Sequence, residues 1–167
     1  MKRQLSIIIG STRPGRAGPI FAEWLEAHHP RLRKYENDHT KAWSKAIDAA
    51  DAFVFVAPEY NYFAAPAIVN AVDYLLKEWR YKPAAIFSYG GVSGGLRAAQ
   101  ALKPLLTSVG VMPIPEGVAL PSYRTLLDKE GAYHPGEQVL GGAKTMLDEL
   151  FRWSEALKAL RAGLRAE

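Results

Sequence analysis

Three apolar runs each lead directly into a turn-forming loop, and this repeated junction constrains the fold more than any other feature. Leu5 to Ile9 runs into Gly10-Ser11-Thr12-Arg13-Pro14-Gly15-Arg16-Ala17-Gly18-Pro19. Ala52 to Ala57 runs into Pro58-Glu59-Tyr60-Asn61, and Ala84 to Ser88 into Tyr89-Gly90-Gly91-Val92-Ser93-Gly94-Gly95. Short apolar runs bounded by turn signals read as buried strands. Segments with helical spacing alternate with them. Ile20, Phe21, Trp24 and Leu25 predict a helix to about Ala27, opened by Pro19. Trp43 to Ala50 predicts a short helix. Pro66 to Arg80 predicts a longer one, with Ile68, Ala71, Val72, Leu75, Leu76 and Trp79 on one stripe. Leu96 to Val109 is the next helix, with Gly110 placed to end it. Val111 to Ile114, resuming at Val118 to Leu120, supplies the last strand, and Val139 to Leu164 a final amphipathic helix. Pro121 to Gln138 has turn residues without periodicity and is long enough for a flap or a partner arm. Such alternation predicts an α/β fold: a parallel sheet covered on both faces, with right-handed crossovers.

The 167 residues suffice for one domain and one core, and no linker or repeat divides residues 1–167. Hydrophobic residues make up 49% and charged residues 23%, a globular balance. The net charge of +4 is spread along the chain, and no block of like charges forms a nucleic-acid arm. A mild positive excess suits an anionic cofactor or substrate. Without cysteine there is no thiol catalysis, thiolate metal site or disulfide. His28-His29 lacks a partner at ligand spacing, so no metal site is expected. The apolar run before Gly10 is too short for a signal-peptide core or a membrane span, so a cytoplasmic protein with no membrane partner is expected.

If the three strands are parallel, their loops gather at one sheet edge, where ligands of open α/β sheets bind. In the first loop, glycines let the backbone approach a ligand, and the following helix offers unpaired N–H groups. Ser11 adds a hydroxyl. Arg13 and Arg16 can each add a charge-assisted bond of roughly 1.5–3 kcal/mol. These groups suit a phosphate, yet the pattern is neither Gly-x-x-x-x-Gly-Lys-Ser/Thr nor Gly-x-Gly-x-x-Gly. The competing reading is an ordinary loop with two solvated arginines. The second loop carries Glu59, Tyr60, Asn61, Tyr62 and Phe63, which taken singly read as core aromatics, a turn former and a solvated carboxylate. In the third loop, four glycines stand beside Ser88, Tyr89 and Ser93. Gly91-Val92-Ser93-Gly94-Gly95 satisfies Gly-x-Ser-x-Gly, so a serine hydrolase using Ser93 stands as an alternative. Against it, Tyr89-Gly90 lengthens the turn, and His134 is the single downstream histidine.

Taken together, Gly10-Ser11-Thr12-Arg13-Pro14-Gly15-Arg16, Pro58-Glu59-Tyr60-Asn61, Asn70-Ala71-Val72-Asp73-Tyr74, Glu78-Trp79, Lys82-Pro83 and Ser88-Tyr89-Gly90-Gly91 resemble the NADPH-dependent FMN reductases. This family of flavodoxin-like proteins includes quinone, azo-dye and chromate reductases. The resemblance implies a flavodoxin-like three-layer sandwich with a parallel sheet of order 2-1-3-4-5. The family's second strand, at the sheet edge, has no counterpart here. The first predicted helix runs almost directly into His28-His29-Pro30-Arg31-Leu32, so that strand is expected to be missing.

By the same resemblance, Ser11, Arg13, Arg16, Ala17 and Gly18 bind the phosphate of FMN. Pro58, Glu59, Tyr60 and Asn61 lie along the flavin ring, and Ser88, Tyr89, Gly90 and Gly91 close its other side. The flavin carries the chemistry, so no side chain is expected to be a catalytic acid or base. The Glu59 carboxylate is expected to matter less than the backbone around it and the aromatic shape of Tyr60. NADPH or NADH supplies hydride, and the acceptor is a small molecule: free flavin, a quinone, an azo compound or a metal oxyanion. A homodimer or homotetramer through the helix at residues 66–80 is implied. The alternative from another class is a flavodoxin-like electron carrier without NAD(P)H turnover.

Overall fold

The structure is a computed structural model, and it describes residues 35–165. The elements are α1 (Asp38–Ala49), β1 (Phe53–Tyr60), β2 (Phe63–Ala64), α2 (Pro66–Asp73), a 3-10 turn (Lys77–Trp79), β3 (Pro83–Tyr89), α3 (Leu96–Ser108), β4 (Met112–Leu120), a second 3-10 turn (Tyr123–Leu126) and α4 (Glu137–Arg165). The strand predicted at residues 5–9, the first loop, the helix after it and the missing second strand lie outside the described residues.

The sheet has the order β2-β1-β3-β4. β1, β3 and β4 run parallel, as the alternation predicts, and match the last three strands of the expected order. β3 is central and almost wholly buried, which explains why its residues are small or apolar without alternation. Helices cover both faces. On one face Ile47 of α1, Val72 of α2, and Ala98, Leu102 and Leu106 of α3 join Leu75 and Trp79 in one core cluster. On the other, Met146 and Leu150 of α4 pack on Ala85, Ile114, Val118 and Leu120. Burying each of Leu102, Leu106 and Leu75 contributes about 1.5–3 kcal/mol. The result is a three-layer α/β sandwich.

Two charged side chains inside the helical layer, Lys82 and Glu78, are paired. The Lys82 ammonium is buried at the carboxyl end of α1 and donates to the carbonyls of Ile47 (2.6 Å) and Asp48 (2.9 Å). A cation there also opposes the negative end of the helix dipole. The Glu78 carboxylate accepts the hydroxyls of Ser44 (2.6 Å) and Tyr35 (3.2 Å).

Three details differ from the sequence-based expectations. The helix predicted over residues 66–80 ends at Asp73 and gives way to a 3-10 turn. The carbonyl of Val72 would accept the Leu76 amide in a continuing α-helix. Instead it accepts the Leu75 amide (3.3 Å) and the Trp79 indole N–H (3.0 Å). The last strand is continuous rather than split. Its register with β3 jumps from Ala84↔Pro113 to Ile86↔Gly117, which places a bulge before Gly117. A Cβ at Gly117 would stand 2.8 Å from the Ile86 carbonyl oxygen, so the strand resumes pairing on a glycine. Finally, β2 adds a short antiparallel strand that the sequence reading does not include.

Candidate active site

The parallel register brings the loop-bearing strand ends together. Pro58 pairs with Tyr89, and Tyr89 with Leu120, so the segments after β1, β3 and β4 leave the sheet side by side.

The segment after β1 is a hairpin rather than an open loop. β1 continues through Pro58 and Glu59 to Tyr60, which pairs with Phe63. Asn61 (φ 50°) and Tyr62 (φ 66°) form the two-residue turn, both in the left-handed region. That pair of dihedrals is the type I′ pattern, whose twist matches the flanking strands. Asn tolerates it; Tyr does so at a cost, and such strain concentrates at functional sites. Asn-Tyr is not the usual Asn-Gly signal, so the hairpin is hard to read from sequence. Tyr60, Tyr62 and Phe63 are all exposed, so this aromatic group lines the sheet edge instead of filling the core.

The glycine loop after β3 folds back on its own strand. Gly94 (φ 64°) and Gly95 (φ 83°) are left-handed, and a Cβ on Gly95 would lie 2.6 Å from the Tyr89 nitrogen. A Cβ on Gly90 would meet the Gly95 nitrogen at 3.0 Å and the Glu59 Cβ at 3.3 Å. Among the described residues nothing lies within 4 Å of a Cβ added at Gly91, so the space on that side of the loop is open. Ser88 is only 1% exposed, and its hydroxyl donates to the carbonyl of Gly94 at 2.9 Å. It therefore supports the loop from beneath.

Residues after β4 complete the edge. The Tyr123 amide donates to the Gly90 carbonyl (3.2 Å), and the Gly90 amide to that of Leu120 (3.3 Å). The Tyr89 and Tyr123 rings meet edge to face at 5.1 Å. The expectation of a flap or a partner arm over residues 121–138 does not single out Tyr123. An aromatic two residues beyond the proline that ends β4 was the available signal. Farther along, Asp128 accepts a bond from the His134 ring at 2.7 Å and the amides of Glu130 and Ala132. His134 and these backbone donors hold the Asp128 carboxyl below its usual range, against the opposing effect of partial burial.

Glu59 turns its carboxylate toward the glycine loop. Its Oε2 accepts the Ser93 hydroxyl (2.8 Å) and the Arg97 amide (3.1 Å), while Oε1 accepts the Arg97 guanidinium (2.9 Å). Its side chain is 7% exposed. Burial alone would raise its pKa, but the bonds from Ser93 and Arg97 outweigh that and hold it below the ordinary glutamate value. Arg97 also lays its guanidinium over the Tyr62 ring at 4.3 Å. Arg97 has no role in the sequence-based expectations, although its place in the first turn of a helix after a glycine loop is a visible signal. Ser93 has Glu59 as its hydrogen-bond acceptor, and His134 is engaged with Asp128. Among the described residues no histidine is bonded to Ser93, as a hydrolase would require.

The structure thus unites Pro58, Glu59, Tyr60, Asn61, Tyr89, Gly90 and Gly91 at one edge, with Ser88 behind them. The predicted phosphate group of Ser11, Arg13, Arg16, Ala17 and Gly18 lies outside the described residues. A cleft of about 390 Å³ lined by Asp48, Asp51, Lys158 and Arg161 lies at the opposite, amino-terminal end of β1. No helix among the described residues is long and apolar enough to cross a membrane.

Comparison with known proteins gives this arrangement a context. The family model described as NADPH-dependent FMN reductase matches residues 28–125. An NAD(P)H-dependent FMN reductase of Nectria sp. is 42% identical over 105 residues, covering 62% of this chain and 52% of that protein. One from Schizosaccharomyces pombe is 50% identical over 125 residues, covering 58% of this chain and 62% of the relative. The chain therefore spans between about half and three-fifths of these relatives' length. The solved structure of FerB, a flavoenzyme NAD(P)H:(acceptor) oxidoreductase from Paracoccus denitrificans, superposes with a TM-score of 0.52 at 21% identity. It covers 90% of this chain and 94% of that one, a likeness of fold.

Proposed function

This chain belongs to the NADPH-dependent FMN reductase family, and on that premise we propose that it is an FMN-dependent oxidoreductase that uses NADPH or NADH to reduce a small acceptor. The observation that carries the reading is the convergence of the 58–62 hairpin and the 89–91 loop at one sheet edge, where the space beside Gly91 is open among the described residues. A planar ligand suits this edge. The hairpin offers exposed Tyr60 and the polar Asn61, and the glycine loop lets backbone groups approach without a Cβ between.

In this reading Pro58, Glu59, Tyr60 and Asn61 wall one side of the ring, and Tyr89, Gly90 and Gly91 the other. Ser88 holds the glycine loop in shape. Ser11, Arg13, Arg16, Ala17 and Gly18 bind the phosphate through a hydroxyl, guanidinium groups and backbone N–H donors. FMN held here would supply the redox chemistry, taking hydride at N5 and passing electrons to the acceptor. The chain's own groups position the ring and limit water. The relatives' names include quinone oxidoreductases, so quinones are the first acceptors to try, with azo compounds, metal oxyanions and free flavin beside them. Exposed Tyr74, within residues 66–80, suits a homodimer or homotetramer through that segment, and a cytoplasmic location belongs to the same reading.

The test is direct. Purified protein titrated with FMN should take up one flavin per chain, which NADPH or NADH bleaches anaerobically and a quinone restores. A protein that takes up no FMN overturns the reading. Flavin uptake without steady NAD(P)H oxidation assigns it to electron carriage instead.

A further inference from the structure

We infer that Glu59 is a positioning residue: its carboxylate, bonded to Ser93 and Arg97, locks the 58–63 hairpin to the 90–97 segment so that the two walls of the site move as one. The inference deepens the functional reading above and rests on it for its consequence toward FMN.

α3 starts at Leu96, and Gly95 at its cap position has no side chain to satisfy the first amides. The amide of Arg97, second in the helix, donates instead to Glu59 Oε2, from a strand 38 residues earlier. A carboxylate placed there also faces the positive end of the helix dipole. Ser93, inside the glycine loop, donates to the same oxygen, and the Arg97 guanidinium takes the other. One side chain thus holds the loop, the helix start and its own strand.

The coupling continues into the hairpin turn. The Arg97 guanidinium covers the ring of Tyr62, whose φ of 66° is one a bulky residue does not favour. Glu59 fixes Arg97 from one side and Tyr62 covers it from the other, so the strained turn has an external brace. The walls lie close enough to need a glycine between them: a Cβ added at Gly90 would stand 3.3 Å from the Glu59 Cβ. Both carboxylate oxygens are occupied and the side chain is 7% exposed, so Glu59 acts through its neighbours rather than on a substrate.

Two measurements on Glu59→Gln, Arg97→Gln, the double variant and the milder Ser93→Ala test this. The first is amide hydrogen exchange of the flavin-free protein. Faster exchange in both the 58–63 and 90–97 segments is expected from either substitution. Faster exchange confined to the first turn of α3 would make Glu59 a simple cap and overturn the coupling. The second is FMN affinity by fluorescence quenching, with visible circular dichroism of the bound flavin. Each of the Glu59 and Arg97 single variants should bind roughly tenfold more weakly with an altered flavin band, and the double variant about as weakly as either. Unchanged affinity and band, or additive losses, would overturn the inference. If the unaltered protein binds no FMN, the functional reading falls, while the exchange pattern still decides the clamp.

Discussion

The amide of Ser122 donates to the carbonyl oxygen of Gly91 at 2.7 Å, and Ser122 itself sits at a left-handed φ of 49°. This bond joins the start of the segment after β4 to the rim of the glycine loop. A change in that segment should therefore be felt at the edge proposed for the flavin.

Tyr123 is the side chain to use, because its ring meets Tyr89 edge to face. Tyr123→Leu keeps apolar bulk and removes the aromatic pair. It should cost about 0.5–1.5 kcal/mol in urea unfolding. FMN affinity should fall with it, and loss of stability without loss of affinity would separate the two segments.

Trp79 is 1% exposed, and its ring stands 5.0 Å from that of Phe53 and 6.1 Å from that of Trp43. Its indole N–H closes α2 on the Val72 carbonyl. Trp79→Ala should destabilise the fold by about 3–5 kcal/mol. Trp79→Phe keeps most of the ring but leaves that carbonyl without the indole, and should cost about 1–3 kcal/mol. Chemical denaturation measures both, and a negligible cost for Trp79→Phe would show that the indole bond contributes little.

Lys82 joins the end of α1 to the start of β3 through the carbonyls of Ile47 and Asp48. Lys82→Met retains the buried stem and removes the donor. Stability should fall by about 1.5–3 kcal/mol. Amide exchange should rise first in the last turn of α1, and unaltered exchange there would deny the cap.

Tyr35 has its hydroxyl pKa pushed above the ordinary value of 10.0, by burial first and then by the charge and hydrogen bond of Glu78. A group with a raised folded pKa contributes stability that is complete below its unfolded pKa and lost as pH rises toward the folded one. The protein should therefore lose stability from about pH 10 upward. Tyr35→Phe should remove part of that alkaline slope while leaving the acid side alone. Denaturation midpoints at stepped pH give the comparison, and identical slopes would remove Tyr35 from the linkage.

The parts legible in the sequence are those that a short window contains. The run at residues 52–57 and the small apolar residues of β3 announce strands, and Ala98, Ala99, Leu102 and Leu106 lie at helical spacing on the buried face of α3. The same local rules fail where a partner from elsewhere competes. Residues 74–80 keep a helical stripe, yet the Trp79 indole takes the carbonyl that would extend α2. Asn61-Tyr62 lacks the glycine that marks a type I′ turn, and a distant arginine braces it.

Sequence alone determined the alternation of strands and helices, and with it the edge where the loops after β1 and β3 gather, because periodicity and turn chemistry are properties of neighbouring residues. Tertiary structure decided what those loops do to each other. Glu59 reads in isolation as a solvated carboxylate. It becomes a clamp because the parallel register sets Pro58 beside Tyr89 and so brings Ser93 and Arg97, 34 and 38 residues away, within hydrogen-bond reach. That register comes from packing the whole sheet between its helices, and no local stretch of the chain contains it.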